Sequence, residues 1–229
     1  MPAGSGGPAP PASAFTPAER RVIQRYRTPA AVQAYLNAMP YNTEPPPGGA
    51  TQRSFRGVVR HGTAHCMEAA LSAAVILEQH GYPPLILSFE SIDELDHVLF
   101  VYRHRGRWGS IGRSRDPGLH GRKPVFRTAR ALALTYVDPY VDYHGRVTGY
   151  TVVDLRALLG DYDWRLADGN VWKAERALLQ APHRSIVSSD ARIDRLRRKY
   201  VAFRKANDDR KPLYYRERHT WSALPRGNW

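Results

Sequence analysis

From residue 66 to residue 80 the chain is small or apolar at most positions, interrupted by Glu68, Ser72, Glu78, Gln79 and His80. That pattern predicts a helix buried on most of its sides, with the two glutamates as polar interruptions. Gly81 ends it, and the prolines at 83 and 84 lead into Leu85-Ile86-Leu87-Ser88-Phe89, a strand. A second apolar and aromatic run, His97 to Tyr102, is the next strand; Arg105-Gly106 then turns the chain into a third, antiparallel strand over 107–111. A helix followed by a meander is the predicted skeleton.

Upstream, Thr16-Pro17-Ala18-Glu19 combines an N-cap, a proline at the first helical position and a glutamate spaced for a capping box, so a helix is expected to about Arg27. Thr28-Pro29 restarts one that carries Val32, Tyr35 and Leu36 on one side before Pro40, and the proline- and glycine-rich stretch 42–50 reads as an irregular connection. Residues 112–124 read as a loop, 126–136 as helical, 147–154 as a strand, 154–159 as a short helix and 170–180 as a longer one. The last periodic segment, 189–206, aligns Ile193, Leu196, Tyr200 and Phe203 on one face and should dock by it, leaving Arg192, Arg195, Arg198 and Lys199 to solvent. Residues 1–15, rich in Pro, Gly, Ala and Ser, are expected to be disordered, and 208–229 partly so. The domain plan is a core over 16–187 and a basic helical extension over 188–229.

Charge and composition narrow this picture. A net charge of +13 and a pI near 10.2 admit nucleic acid, an anionic membrane surface or acidic substrates as partners. Twelve Lys/Arg against five Asp/Glu fall in 188–229, which makes the extension the basic element. Arg105, Arg107, Arg113, Arg115, Arg122 and Lys123 form a second basic group, either a solvated face or a receiver of an anionic substrate. Trp108, Trp164 and Trp172 have the spacing of core residues. No apolar run reaches the length of a membrane span, and Met1 to Pro8 has neither a basic nor an apolar leader region, which predicts no membrane insertion and a cytoplasmic protein.

The single cysteine carries the chemistry. Cys66 opens the apolar helix in His61-Gly62-Thr63-Ala64-His65-Cys66-Met67-Glu68, where unpaired amides and the helix dipole favour a thiolate and supply donors for an oxyanion. A lone cysteine elsewhere is usually a small buried hydrophobe; its place at a helix start argues for a nucleophile. His97, at the mouth of a strand, and Asp116 follow in chain order. His61, His65, Cys66 and His97 are also zinc-ligand types, but no Cys-x-x-Cys or His-Glu-x-x-His frame accompanies them, and neither metal nor cofactor is expected.

The order of cysteine at a helix start, Gly81-Tyr82-Pro83 between helix and strand, a strand-initial His97 and a hairpin bearing Trp108 resembles the transglutaminase-like branch of the papain-like cysteine superfamily, over residues 62–117. The resemblance implies an α+β fold with a central helix packed on a small antiparallel sheet. It also implies a Cys66–His97–acid triad and acyl transfer or hydrolysis at an amide or peptide bond. The family's acid usually stands a few residues past the hairpin tryptophan, where this chain has Ser110-Ile111-Gly112. Asp116 is therefore the preferred third member, with Ser110, Ser114 and Asp96 as alternatives; Asp96, next to His97, faces the other side of the strand. Arg60 occupies the position six before Cys66, where an oxyanion-hole glutamine would stand, and Gln52 lies farther upstream. The competing reading is a catalytically silent relative whose basic extension, with Tyr200, Phe203, Tyr214 and Tyr215 interleaved, binds nucleic acid or another anionic partner.

Overall fold

Helix starts fall where capping residues stand. In the computed structural model, which describes residues 7–94 and 96–227, Thr16 and Glu19 close a reciprocal capping box over α1 (Pro17–Arg25), Thr28 caps α2 (Pro29–Ala38) and Ser54 caps α3 (Phe55–His61). Each such cap contributes about 1 kcal/mol. Gly62, in the left-handed region at φ 67°, ends α3 and turns the chain into α4 (Cys66–Glu78), whose residues from Met67 onward are all buried.

The sheet is antiparallel throughout, in the order β4-β3-β2-β1-β5-β6. Its strands are β1 (Leu85–Ser91), β2 (Val98–His104), β3 (Arg107–Ile111), β4 (Arg122–Phe126), β5 (Val147–Asp154) and β6 (Arg184–Ser185). Pairing sets Ile86 opposite Phe100 and Phe100 opposite Ile111; these side chains join the core shared with α1 to α4. Leu87 opposite Leu99 points the other way, into a second core with α5 (Ala129–Leu134) and α6 (Val137–Tyr140). Both faces of the central strands are therefore covered, which is why β1 and β2 read as nearly continuous apolar runs. Each fully buried aliphatic or aromatic residue contributes roughly 1.5–3 kcal/mol, and a one-residue slip would exchange the two rows. The six-stranded α+β sandwich, with α4 central on one face, agrees with the expected fold class.

The remaining helices are α7 (Leu155–Leu159), α8 (Trp172–Gln180) and α9 (Asp190–Ala206). Glu78 is buried near the end of α4 and receives Arg156 at 2.6 Å and Arg165 at 2.8 Å, so it is an internal ion-pair hub rather than a polar interruption. Described residues near both termini make defined contacts with the core. Residues 1–6 of the expected disordered segment lie outside the described residues; Phe15 is buried, and Gln79 and Arg56 donate to the carbonyls of Pro10 and Ala14. Thr220 and Trp221 are buried, and Arg122 bridges to Trp221 across the sheet edge.

The basic helix α9 buries Ile193 and Tyr200. Several of its cations are engaged internally: Arg192 with Asp138, Arg197 with the carbonyls of Asp142 and His144, and Arg204 with Tyr200 and Asp209. Arg192, expected to be available to solvent or an anion, is half-exposed and pairs with the Asp138 carboxylate of α6 at the docking seam. Among the described residues, no helix is long and apolar enough to cross a membrane.

Candidate active site

Cys66 is half-buried at the first turn of α4 and borders two cavities, of about 340 Å³ and 200 Å³. A larger cavity of about 790 Å³, between α2, Lys123-Pro124 and residues 222–226, contains no thiol or imidazole.

Two imidazoles, not one, come within hydrogen-bonding reach of the thiol: His65 and His97. Their outer nitrogens are fixed in the same way. Nε2 of His97 lies 2.7 Å from the carbonyl of Leu119, and Nε2 of His65 lies 2.8 Å from the carbonyl of Thr51. A carbonyl only accepts, so Nε2 carries a proton in both rings and Nδ1 is the atom that exchanges one.

Beyond Nε2 the two surroundings diverge. His65 has Glu68 Oε1 at 3.5 Å and Glu44 Oε1 at 3.8 Å. Glu68, on the third residue of the helix, is fully buried and accepts from the His65 amide, Asn42 Nδ2, Thr51 Oγ1 and the Arg53 amide, at 2.8–3.1 Å. Burial alone would raise its pKa, but the charge on His65 and these donors outweigh it and hold the group below the usual carboxylate range. Glu68 is thus a buried anion beneath the nucleophile.

The electrostatics of the thiol follow. Burial pushes Cys66 up, but the hydrogen bonds from His65 and His97 and their charges bring it down to about 6. Burial likewise pushes His65 down, and the bond to Cys66, its charge and Glu68 carry it up to about 9. Both shifts favour a thiolate beside an imidazolium.

His97 is held from the opposite side. It is buried immediately before β2, and its carbonyl accepts from Phe89 in the sheet ladder. Leu119, its partner, ends a short 3₁₀ turn over Pro117–Leu119. The buried guanidinium of Arg122 clamps this turn by donating to the carbonyls of His120 and Gly118 at 2.8 and 2.6 Å, and stacks 4.0 Å from the Tyr136 ring centroid. Gly121 fits here because a Cβ would stand 2.5 Å from the Ser110 carbonyl.

Asp116 lines the smaller cavity with Cys66 and His97, but its carboxylate meets Lys211 Nζ at 2.6 Å. The acceptor at the outer nitrogen of His97 is the Leu119 carbonyl instead. The alternatives are also engaged elsewhere: Ser110 with Tyr136 and the Arg122 amide, Ser114 with the Asp116 amide, and Asp96 with Ser91. Three residues outside the expected set border the thiol or its cavities. The Tyr41 hydroxyl meets the Cys66 amide, and burial, followed by the charge on Cys66, raises its pKa so that it stays a neutral phenol. Gln52 and Trp172 line the larger of the two cavities.

The basic group around the hairpin is divided among several places. Arg122 is buried, Arg113 donates to the Met39 carbonyl, and among these six residues Arg115 alone lines the cavities at Cys66.

No family model matches the chain, and no curated protein matches it. Among solved structures it is similar to Legionella pneumophila LapG, at 12 % identity and a TM-score of 0.36, over 80 % of this chain and 92 % of that one. The same protein after EGTA treatment gives 12 %, 0.37, 73 % and 92 %, and its calcium-bound form 13 %, 0.35, 64 % and 83 %.

Proposed function

We propose that the protein is a cysteine-dependent hydrolase or acyltransferase acting on an amide or peptide bond, of the transglutaminase-like and papain-like kind, with Cys66 as nucleophile and His97 as acid–base partner. The observation that carries this reading is a thiol at a helix start whose pKa is lowered to about 6 by two imidazoles, at the border of two cavities. In place of an acidic third member, the reading assigns orientation of His97 to the Leu119 carbonyl, locked by Arg122.

The thiolate of Cys66 attacks the acyl carbon, and the electron pair of the carbonyl moves onto its oxygen. The reading assigns the Cys66 amide and the Tyr41 hydroxyl, which hydrogen-bond to each other at rest, as donors to that oxyanion. The proton of the Cys66 thiol, taken up on Nδ1 of His97, passes from there to the leaving amine, the carbonyl re-forms, the C–N bond breaks and a thioester remains. Water or an amine then gives its proton to His97 as it attacks, and the thiolate departs. The reading gives His65 no part in proton transfer; against burial, its pKa is carried up chiefly by the bond to Cys66 and the charge there, with Glu68 adding to them. Its role is the standing positive charge that stabilises the thiolate.

The test is acylation by p-nitrophenyl acetate. A burst of one p-nitrophenol per chain is expected, with an acetyl mass increment on Cys66, absent from Cys66→Ala. A burst that persists in Cys66→Ala, or acylation no faster than that of free cysteine, overturns the proposal.

A further inference from the structure

The cleft reverses the charge of the molecule that contains it. The chain has 34 Lys/Arg against 21 Asp/Glu, yet the walls of the two cavities at Cys66 present seven carboxylates and one guanidinium, that of Arg115. Asp93, Asp96 and Asp142 line the smaller cavity without a salt bridge among the described residues, and Glu44, Glu94 and Glu175 line the larger. A third of the acidic residues of a strongly basic protein thus converge on its nucleophile.

The larger cavity also has the form of a side-chain site. Met67, Val98 and Leu178 give it a buried apolar lining, with half-buried Trp172 beside them. Gln52, 5 % exposed, is part of the same lining; its Nε2 donates to Glu175 Oε1 at 2.6 Å, and its Oε1 has no hydrogen-bond partner. A buried carbonyl oxygen without a donor is costly, on the order of 1–3 kcal/mol, unless a ligand supplies an N–H. Beside it stands a carboxylate, which also only accepts. An apolar lining that ends in paired acceptors matches a long cationic side chain, with its methylenes on the lining and its head at the acceptors.

We propose that the lobe formed by Gln52, Trp172 and Glu175 is a subsite for a lysine or arginine side chain, so that the enzyme acts on basic peptides. The proposal rests on Cys66 being the nucleophile, and specifies what that nucleophile is offered.

The experiment compares modification of Cys66 by methanethiosulfonates bearing a trimethylammonium or a sulfonate group at low salt, each rate divided by that for free cysteine. The cationic reagent should be preferred by about tenfold or more, with the preference shrinking as salt rises and falling in Glu175→Gln. Equal normalised rates, or a preference unchanged in Glu175→Gln, overturn the subsite. The neutral reagent iodoacetamide reports on the nucleophile alone, so rapid alkylation without charge preference removes the subsite and leaves the proposed function standing. An unreactive thiol is met by a second measurement, binding of an arginine peptide and its citrulline isostere to Cys66→Ser. Tighter binding of arginine, about tenfold and salt-sensitive, supports the subsite, and equal binding overturns it.

Discussion

The walls on either side of Cys66 use one device and reach opposite results. Both His65 and His97 give Nε2–H to a backbone carbonyl and hydrogen-bond to the Cys66 thiol. Behind His65 lies Glu68, a buried carboxylate with four donors, and Glu44 beyond it. Behind His97's carbonyl partner, Arg122 orders the loop through the carbonyls of His120 and Gly118 and offers no negative charge. A neutral acceptor fixes a ring without fixing its charge, whereas a buried anion fixes both. The proposed function rests on that difference, assigning proton transfer to His97 and a standing charge to His65.

Removing either ring tests that separation. His97→Ala should cost the most, about 10²–10⁴ in the rate of thioester formation from an amide, because the leaving amine loses its proton donor; the Cys66→Ala burst assay provides the floor. If His97→Ala acylates and turns over as the parent does, the acid–base assignment passes to His65.

His65→Asn should act through the thiol. With the neighbouring cation gone, the Cys66 pKa should rise toward the ordinary value of about 8.5, so alkylation at pH 6.5 falls about tenfold or more and recovers as pH rises. The coupling is reciprocal: in Cys66→Ser the His65 pKa should drop from about 9 toward 6.5, read by NMR titration of the ring. A His65 that titrates identically in both proteins would show that the two groups are not paired.

A smaller effect is expected from Glu68→Gln, which leaves the shape and removes the charge. The His65 pKa should fall, and unfolding free energy should drop by roughly 1–3 kcal/mol as buried donors lose their anion. The sign with pH follows from the shifts. Glu68 is depressed in the folded state, so its contribution is present above its unfolded pKa and is lost as pH falls through the folded one, whereas the contribution of His65 is present below about 6.5 and is lost as pH rises through about 9. The parent should therefore lose stability at both ends relative to Glu68→Gln, measured by urea denaturation across pH. Asp116→Asn should change least, within about twofold in acylation rate, because its carboxylate faces Lys211.

What the sequence disclosed and what it withheld differ in kind. The buried helix at 66–78, strands β1 to β3, β5 and the docking face of α9 were legible because burial imposes periodicity on residue types. Edge strand β4 was not, since Arg122-Lys123-Pro124 has the composition of a loop and an edge tolerates proline. Helix α3 is short, yet its signals, Ser54 at the start and Gly62 past the end, stand in the chain. In the candidate site, Cys66 and His97 stand out in the sequence by type and place, and the structure brings both to one cavity. His65 enters the sequence reading only as a possible zinc ligand, although Glu68 follows it at capping-box spacing; the Thr51 carbonyl and the Glu44 carboxylate that also face its ring come from a distant loop. The Leu119 acceptor is a main-chain carbonyl, which every residue possesses, so no side chain announces it; a search for carboxylates led to Asp116 instead.

The central claim is that two imidazoles hold Cys66 as a thiolate at neutral pH. It is tested most directly by the rate of iodoacetamide alkylation of Cys66 in the intact protein between pH 4 and 10. The account predicts a rise centred near pH 6 and a plateau through pH 8; a midpoint at or above about 8.5, the value of a free cysteine, would contradict it.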